Sequence, residues 1–250
     1  PDSEVIPAIG AKECIYNLCF AFLDPGDVAL ASDPGYPVYT GGPILAGAEA
    51  VLLPLRPELG FAPDLDAIDE LTAERARLLF LNYPNNPSGA IVPDGFFEKV
   101  VEFAKANDIL VVHDNAYSET TYDGYVAPSF LATPGAKEVG VEVFSLSKGY
   151  NMTGWRVGAI LGNADAIQTY WRLKTNVESL RVGDPMDPDT DVGPLITRGD
   201  RDRVKEWIDE AVAGGAELVT GGELVDEDRC LAPTLLRHPS REAKVWCEEI

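Results

Sequence analysis

At 250 residues and 46% hydrophobic content, the chain can bury a sizeable core, as one large domain or two small ones. Its 41 acidic residues against 20 basic ones give a formal charge of −21, spread without a long block of one sign. Nucleic acid, which needs a basic stripe, is therefore not an expected partner, and an anionic ligand has to be held by locally placed cations.

No apolar run is long enough to cross a bilayer, and Pro1-Asp2-Ser3-Glu4 carries neither a basic nor an apolar leader region. The expectation is no membrane contact, no secretion and a cytoplasmic setting. The four cysteines, Cys14, Cys19, Cys230 and Cys247, form no CxxC pair, and His113 and His238 are the two histidines. Neither a metal site nor a disulfide framework is expected, and the thiols are expected to be buried.

In chain order, Ile9-Gly10-Ala11-Lys12-Glu13 is a small-residue turn opening an apolar stretch of helical length, Cys14 to Leu23, closed by Asp24-Pro25-Gly26. Free N–H groups at Gly10 to Lys12 would make an anion site at the helix start. A strand over 27–32, the turn Asp33-Pro34-Gly35-Tyr36-Pro37, a helix over 38–46 and a strand over 50–55 follow, the alternation of a parallel sheet. Tyr36, between Gly35 and Pro37 at a strand's end, is either a packed turn aromatic or a stacking platform.

After a loop over 56–63, a polar helix is expected over 64–71, then a strand over 77–81 running into Asn82-Tyr83-Pro84-Asn85-Asn86-Pro87-Ser88-Gly89. Turn chemistry explains most of that composition, though a loop at a strand's carboxyl end is also where α/β folds place ligand contacts, Asn86 among them. A helix over 96–106 precedes the continuous apolar strand 109–114, which ends in Asp114 and continues as Asn115-Ala116-Tyr117-Ser118. An aspartate ending a buried strand is costly unless it meets a cation or a donor, which marks Asp114 as a functional candidate.

Residues 118–137 read as loop. A strand over 142–146 then leads into Ser145-Leu146-Ser147-Lys148-Gly149-Tyr150-Asn151-Met152-Thr153-Gly154-Trp155-Arg156, a glycine-punctuated turn followed by a strand over 157–162. A single lysine in such a turn is ordinarily just solvated. Two serines before it and an arginine after it make an anion seat beside a nucleophilic amine, suited to a phosphorylated aldehyde held as a Schiff base. Asn163 can cap a helix over 165–174, and the whole reads as a parallel α/β sheet flanked by helices.

Asp-Pro-Gly-Tyr-Pro at 33–37, Tyr-Pro-Asn-Asn-Pro-Ser-Gly at 83–89, Asp-Asn-Ala-Tyr at 114–117 and Ser-Leu-Ser-Lys at 145–148 carry a resemblance. Residues 1–178 resemble the cofactor-binding large domain of the class I/II, fold-type I aminotransferases, nearest to the aspartate and LL-diaminopimelate aminotransferase group. The resemblance implies a mostly parallel sheet, pyridoxal 5′-phosphate (PLP) as cofactor, an amino acid and a 2-oxo acid as small-molecule substrates, and a homodimer. It further implies Lys148 as the Schiff-base and proton-shuttling amine, Asp114 as partner of the pyridine nitrogen, and Tyr117 and Asn86 on the ring's phenolic oxygen. Tyr36 would stack on the ring, and Ser145, Ser147, Arg156 and the backbone at Ala11 and Lys12 would hold the phosphate.

From Leu180-Arg181-Val182-Gly183-Asp184-Pro185 through Asp191-Val192-Gly193-Pro194-Leu195-Ile196, a helix over 201–213, a strand over 217–220 and Ala232 to Leu236, the chain resembles an internal fragment of NAD(P)-dependent aldehyde dehydrogenases. Residues 179–250 are thus expected to be a short α/β fragment lacking that family's active site. Neither Cys230 nor Cys247 falls at the nucleophile's place, although Glu249 matches a nicotinamide-ribose contact. The expectation is a fusion of two partial pieces, the second loosely packed or docked on the first. A PLP-binding or structural protein without turnover is the first alternative, and an aldehyde dehydrogenase, disfavoured by the missing nucleophile, the second.

Overall fold

A computed structural model describes residues 3–174, 180–237 and 239–248, and the chain divides into two compact units, Pro1–Lys174 and Thr175–Ile250. The expected boundary at 178/179, His238 and Glu249 lie outside the described residues.

In the first unit the elements run β1 (Val5–Ala8), α1 (Ala11–Phe22), β2 (Val28–Asp33), α2 (Val38–Leu45), β3 (Glu49–Pro54), α3 (Glu70–Arg75) and β4 (Ala76–Leu81). They continue as α4 (Phe96–Asn107), β5 (Leu110–Asp114), α5 (Ala136–Val139), β6 (Gly140–Ser145), α6 (Leu146–Gly149), β7 (Gly158–Gly162) and α7 (Ala164–Lys174). The strands form one seven-stranded sheet in the order β1-β7-β6-β5-β4-β2-β3. From β3 to β6 neighbouring strands are parallel, and the apolar runs of β2, β4, β5 and β6 are largely buried on both faces, whereas the edge strand β3 is mostly exposed or half-buried. One face packs Ile15, Leu18, Tyr39 and Ile167 from α1, α2 and α7, and the other packs Phe97, Val100 and Phe130.

The sheet is mostly parallel, as expected, and departs from parallel order at one edge. β7 runs antiparallel to β6, and β1 antiparallel to β7. A parallel return needs a crossover, usually a full helix, whereas 146–157 holds only the single turn α6 and a 3-10 turn at Thr153–Trp155. β1 was not foreseen in the sequence because Pro7 interrupts a run of only four residues; at an edge, proline is tolerated.

The helix expected over 64–71 is also different. A 3-10 turn covers Leu65–Ala67, Ile68 is extended, and α3 starts afresh where Asp69 accepts a hydrogen bond from the Thr72 N–H at 3.0 Å. The Asn163 cap forms as read: its Oδ1 accepts from the Ala166 N–H at 2.9 Å.

The second unit contains α8 (Arg198–Ala213), β8 (Glu217–Thr220), β9 (Leu224–Val225), β10 (Cys230–Leu231), β11 (Leu235–Arg237) and α9 (Lys244–Cys247). Its strands pair as two short antiparallel ribbons, β9 with β10 and β8 with β11. Thr197 caps α8, accepting from the Asp200 N–H at 3.1 Å. The loop before it is pinned by aspartate turns, Asp184 Oδ1 accepting from the Met186 N–H and Asp187 Oδ1 from the Asp189 N–H, each at 2.9 Å. Cys14, Cys19 and Cys230 are buried as expected, but Cys247 is exposed, because α9 is a single turn with no buried residue.

Among the described residues no helix is long and apolar enough to cross a membrane, and no group of three or more His, Cys, Asp or Glu side chains is placed to hold a metal ion.

Candidate active site

The carboxyl ends of β2, β4, β5 and β6 open into one cleft of ≈ 470 Å³, where open α/β sheets place ligands. All ten residues singled out in the sequence line it. They are Ser145 at the end of β6 with Ser147 and Lys148 in α6, Asp114 at the end of β5 and Tyr117 after it, Asn86 after β4, Tyr36 after β2, Ala11 and Lys12 at the start of α1, and Arg156 before β7. Strand alternation does part of this work. His113 and Glu142 are register partners on one face of the sheet, so Asp114 projects to the other.

Asp114 is 5% exposed. Its Oδ2 accepts the Tyr39 hydroxyl at 2.8 Å, while Oδ1 has no partner. Burial pushes the Asp114 carboxyl above its ordinary range, opposed by the Tyr39 hydrogen bond, His113 and the Ala116 amide. The Tyr117 phenol is pushed up as well, by burial first and then by Asp114 and Tyr36, with a hydrogen bond to Asn86 acting the other way.

The Asn86 loop is tied to Asp114 through Asn82, a buried side chain that the sequence reading passed over. Its Nδ2 donates to the Asp114 carbonyl at 2.7 Å and its Oδ1 accepts the Asn86 N–H at 2.6 Å. Tyr39 and Thr153, both on the cleft wall, were missed too. Tyr39 had a faint signal in its spacing of three from Tyr36 at a helix start. Asn82 had one in its place directly after an apolar strand.

Around the lysine, Ser145 caps α6 by accepting the Ser147 N–H at 3.2 Å, which sets both buried serines beside the exposed Lys148. Thr153 Oγ1 donates to the Ser147 carbonyl at 2.9 Å, bracing the turn. Arg156 lies across the start of α1, with Nη1 donating to the Thr153 carbonyl at 3.1 Å and Nη2 to the Ile9 carbonyl at 3.4 Å. Gly10 makes that approach possible: a Cβ there would sit 2.5 Å from Arg156 Nη2, and φ is +77°. The first-turn N–H groups of α1 have no intrahelical acceptor, so helix start, hydroxyls and guanidinium converge on one anion-binding corner. Lys12 Nζ lies 5.8 Å from the centre of the Tyr36 ring.

On the reverse face of the sheet, Glu142 accepts hydrogen bonds from Asn115 Nδ2, the Ser129 hydroxyl and the Phe130 N–H, each at 2.9 Å, and its Oε2 lies 3.1 Å from His113 Nδ1. Burial raises the Glu142 carboxyl, but the bonds and charge of His113, with those of Asn115 and Ser129, outweigh it and hold the group below its ordinary range. This network anchors β5 to β6 behind the cleft.

Comparison with known proteins gives two family matches, which overlap at residues 165–185. Residues 1–185 match the model for aminotransferase class I and II, and residues 165–250 match that of the aldehyde dehydrogenase family. The LL-diaminopimelate aminotransferase of Gloeobacter violaceus is 56% identical over 179 residues, covering 72% of this chain and 46% of the relative. That of Moorella thermoacetica is 55% identical over the same coverage. Among solved structures, substrate-bound BacF from Bacillus subtilis matches with a TM-score of 0.68 at 43% identity, over 71% of this chain and 45% of that one. A probable N-succinyldiaminopimelate aminotransferase from Thermus thermophilus matches with a TM-score of 0.66 at 33% identity, over 87% and 60%. The chain spans about half the length of the curated relatives it matches. With a family match over residues 1–185 that takes in every residue of the cleft, the chain belongs to the class I and II aminotransferases, a family dependent on pyridoxal 5′-phosphate.

Proposed function

We propose that this chain binds PLP in the cleft and uses it to transfer an amino group from an amino acid to a 2-oxo acid. The observation that carries the reading is the free Oδ1 of buried Asp114 on the same cleft wall as Lys148 and the hydroxyl–guanidinium corner. Those groups fit the cofactor: an unpartnered carboxylate oxygen suits a protonated ring nitrogen, and the corner suits a phosphate. When bound, PLP supplies an electron sink for bonds broken at the substrate α-carbon.

In this reading Asp114 keeps a positive charge on the ring nitrogen. Lys148 Nζ would hold the cofactor at its aldehyde carbon and would move the proton at the substrate α-carbon. Tyr117 and Asn86 would donate to the phenolic oxygen, Tyr36 would lie against the ring, and Ser145, Ser147, Arg156 and the N–H groups of Ala11 and Lys12 would hold the phosphate. The names of the relatives make a diaminopimelate-type amino acid the first donor to test. By family resemblance we also place the chain in the cytoplasm as a homodimer, with the change between its two parts near residue 178.

An absorbance band near the visible edge on adding PLP, lost in Lys148→Ala, is the expected result, and no band in the wild-type chain would contradict it. A second reading, cofactor binding without turnover, is favoured by one feature. Among the described residues lining the cleft, Arg156 is the sole arginine, and it is committed to the phosphate corner. Spectral change on adding an amino acid separates the two readings.

A further inference from the structure

Tyr39 stands in the first turn of α2, three residues after the ring that faces the cleft, and it is 1% exposed. Its ring is stacked on Phe80 of β4 at 5.3 Å and 11° between planes, and meets the edge of Tyr36 at 5.8 Å. The ring is therefore locked before any ligand arrives, and its hydroxyl reaches one atom, Asp114 Oδ2, at 2.8 Å. The other carboxylate oxygen is buried and unpartnered, on a residue that lines the cleft. A carboxylate left with two free oxygens could rotate and share its charge between them, whereas one held at Oδ2 has a fixed plane and a single open acceptor.

We propose that Tyr39 is a positioning residue: its hydroxyl pins Oδ2 of Asp114 so that Oδ1 is kept free for the protonated ring nitrogen of PLP. The proposal rests on the PLP reading given above. A phenol suits the task because it donates without adding a charge, so the carboxylate's charge is left for the ring nitrogen. Burial and the neighbouring Asp114 push the Tyr39 phenol well above its ordinary range, so it remains a donor wherever the fold persists. Contact with Tyr36 means that the same ring also backs the stacking platform, coupling the ring-face contact to the ring-nitrogen contact.

The other titratable groups near Asp114 stay in place when only the Tyr39 oxygen is removed. Cys14 of α1, Tyr36, Tyr117 and, on the reverse face, His113 interact with Asp114 or its phenol partner. The cations Lys12, Lys148 and Arg156 share the cleft. Loss of the Tyr39 hydrogen bond removes a contact that favours the charged carboxyl, so its titration midpoint moves up.

The test is Tyr39→Phe in the full chain, which keeps the stacking on Phe80. First, the Asp114 side-chain carbon is followed by NMR against pH in the cofactor-free protein; its midpoint is expected to rise by about one pH unit, the equivalent of a tenfold change. Second, PLP binding is titrated by absorbance and is expected to weaken about tenfold, while a PLP analogue with carbon in place of the ring nitrogen binds wild type and variant alike. Equal binding of that analogue also reports that the variant is folded. An unchanged midpoint together with unchanged PLP affinity overturns the role of Tyr39 while leaving the PLP reading standing. Absence of PLP binding by the wild-type chain overturns that reading and the ring-nitrogen role with it. Equal weakening for PLP and the analogue also overturns the proposal, because the hydroxyl would then act on the pocket in general.

Discussion

The two units differ in how much they bury, and the difference teaches where chemistry can be placed. In the sheet unit long stretches of strand are closed to water: Val28, Ala29, Leu30 and Ala31 of β2 are each 0% exposed, as are Leu78 to Leu81 of β4. In the second unit β8 is exposed over most of its length, and among the described residues the buried apolar set reduces to Val204, Ile208, Ala211, Ala216 and Cys230. An apolar cleft of ≈ 450 Å³, lined by Ile208, Leu236 and Trp246 among others, opens in that unit, and Ile196 is 99% exposed. A unit with a deep core can carry an unsatisfied carboxylate oxygen on its wall, a cost of about 1–3 kcal/mol, and keep it for a ligand. A unit with a thin core has little margin for such a group.

The contrast can be sharpened or broken by substitution, from the largest expected effect to the smallest. Phe80→Ala should destabilise the sheet unit by about 3–5 kcal/mol, measured by denaturant unfolding, because the ring supports both β4 and Tyr39. Glu142→Ala should cost a comparable ~3–5 kcal/mol by leaving buried donors without their acceptor. The wild-type contribution of Glu142 has a definite pH sign. Its folded carboxyl lies below the ordinary range, so the stabilisation is present above the unfolded value and is lost as pH falls through the folded one. Ile208→Ala in the second unit should cost about 2 kcal/mol, the low end for such a change, since a cleft already borders that side chain. Losses of equal size in the two units would break the comparison. Thr197→Ala, which removes the cap of α8, should cost about 1 kcal/mol.

Asp114→Asn tests the contrast from the side of function. The carboxyl is raised by burial, so its stabilising neutral form is lost as pH rises through the folded value. The asparagine variant should therefore be more stable than wild type at neutral pH without cofactor, and should bind PLP at least about tenfold more weakly. A variant both less stable and equal in binding would place Asp114 in the framework rather than the site.

Much of the site could be read in the sequence because its residues fall at strand ends beside glycine and proline, where composition is dominated by turn chemistry and departures from it stand out. Asp114 at the end of an apolar strand and Lys148 between Ser147 and a glycine are of that kind. Tyr39 and Asn82 escaped notice because their bonds to Asp114 span 75 and 32 positions, and nothing local marks either bond. The direction of β7 escaped for a similar reason, since a buried apolar run reads alike in either direction and only the connection decides it. The break at Ile68 depended on one side chain, that of Asp69, capturing a backbone N–H within a polar stretch that otherwise suits a helix.

The central claim is that the sheet unit holds PLP through Lys148. The full chain should be incubated with PLP, reduced with borohydride and mapped by peptide mass spectrometry. A single reduced adduct on Lys148 is expected, absent when inorganic phosphate in excess competes for the Arg156 corner. Adducts scattered over exposed lysines such as Lys99 and Lys137, with Lys148 unmodified, would contradict it.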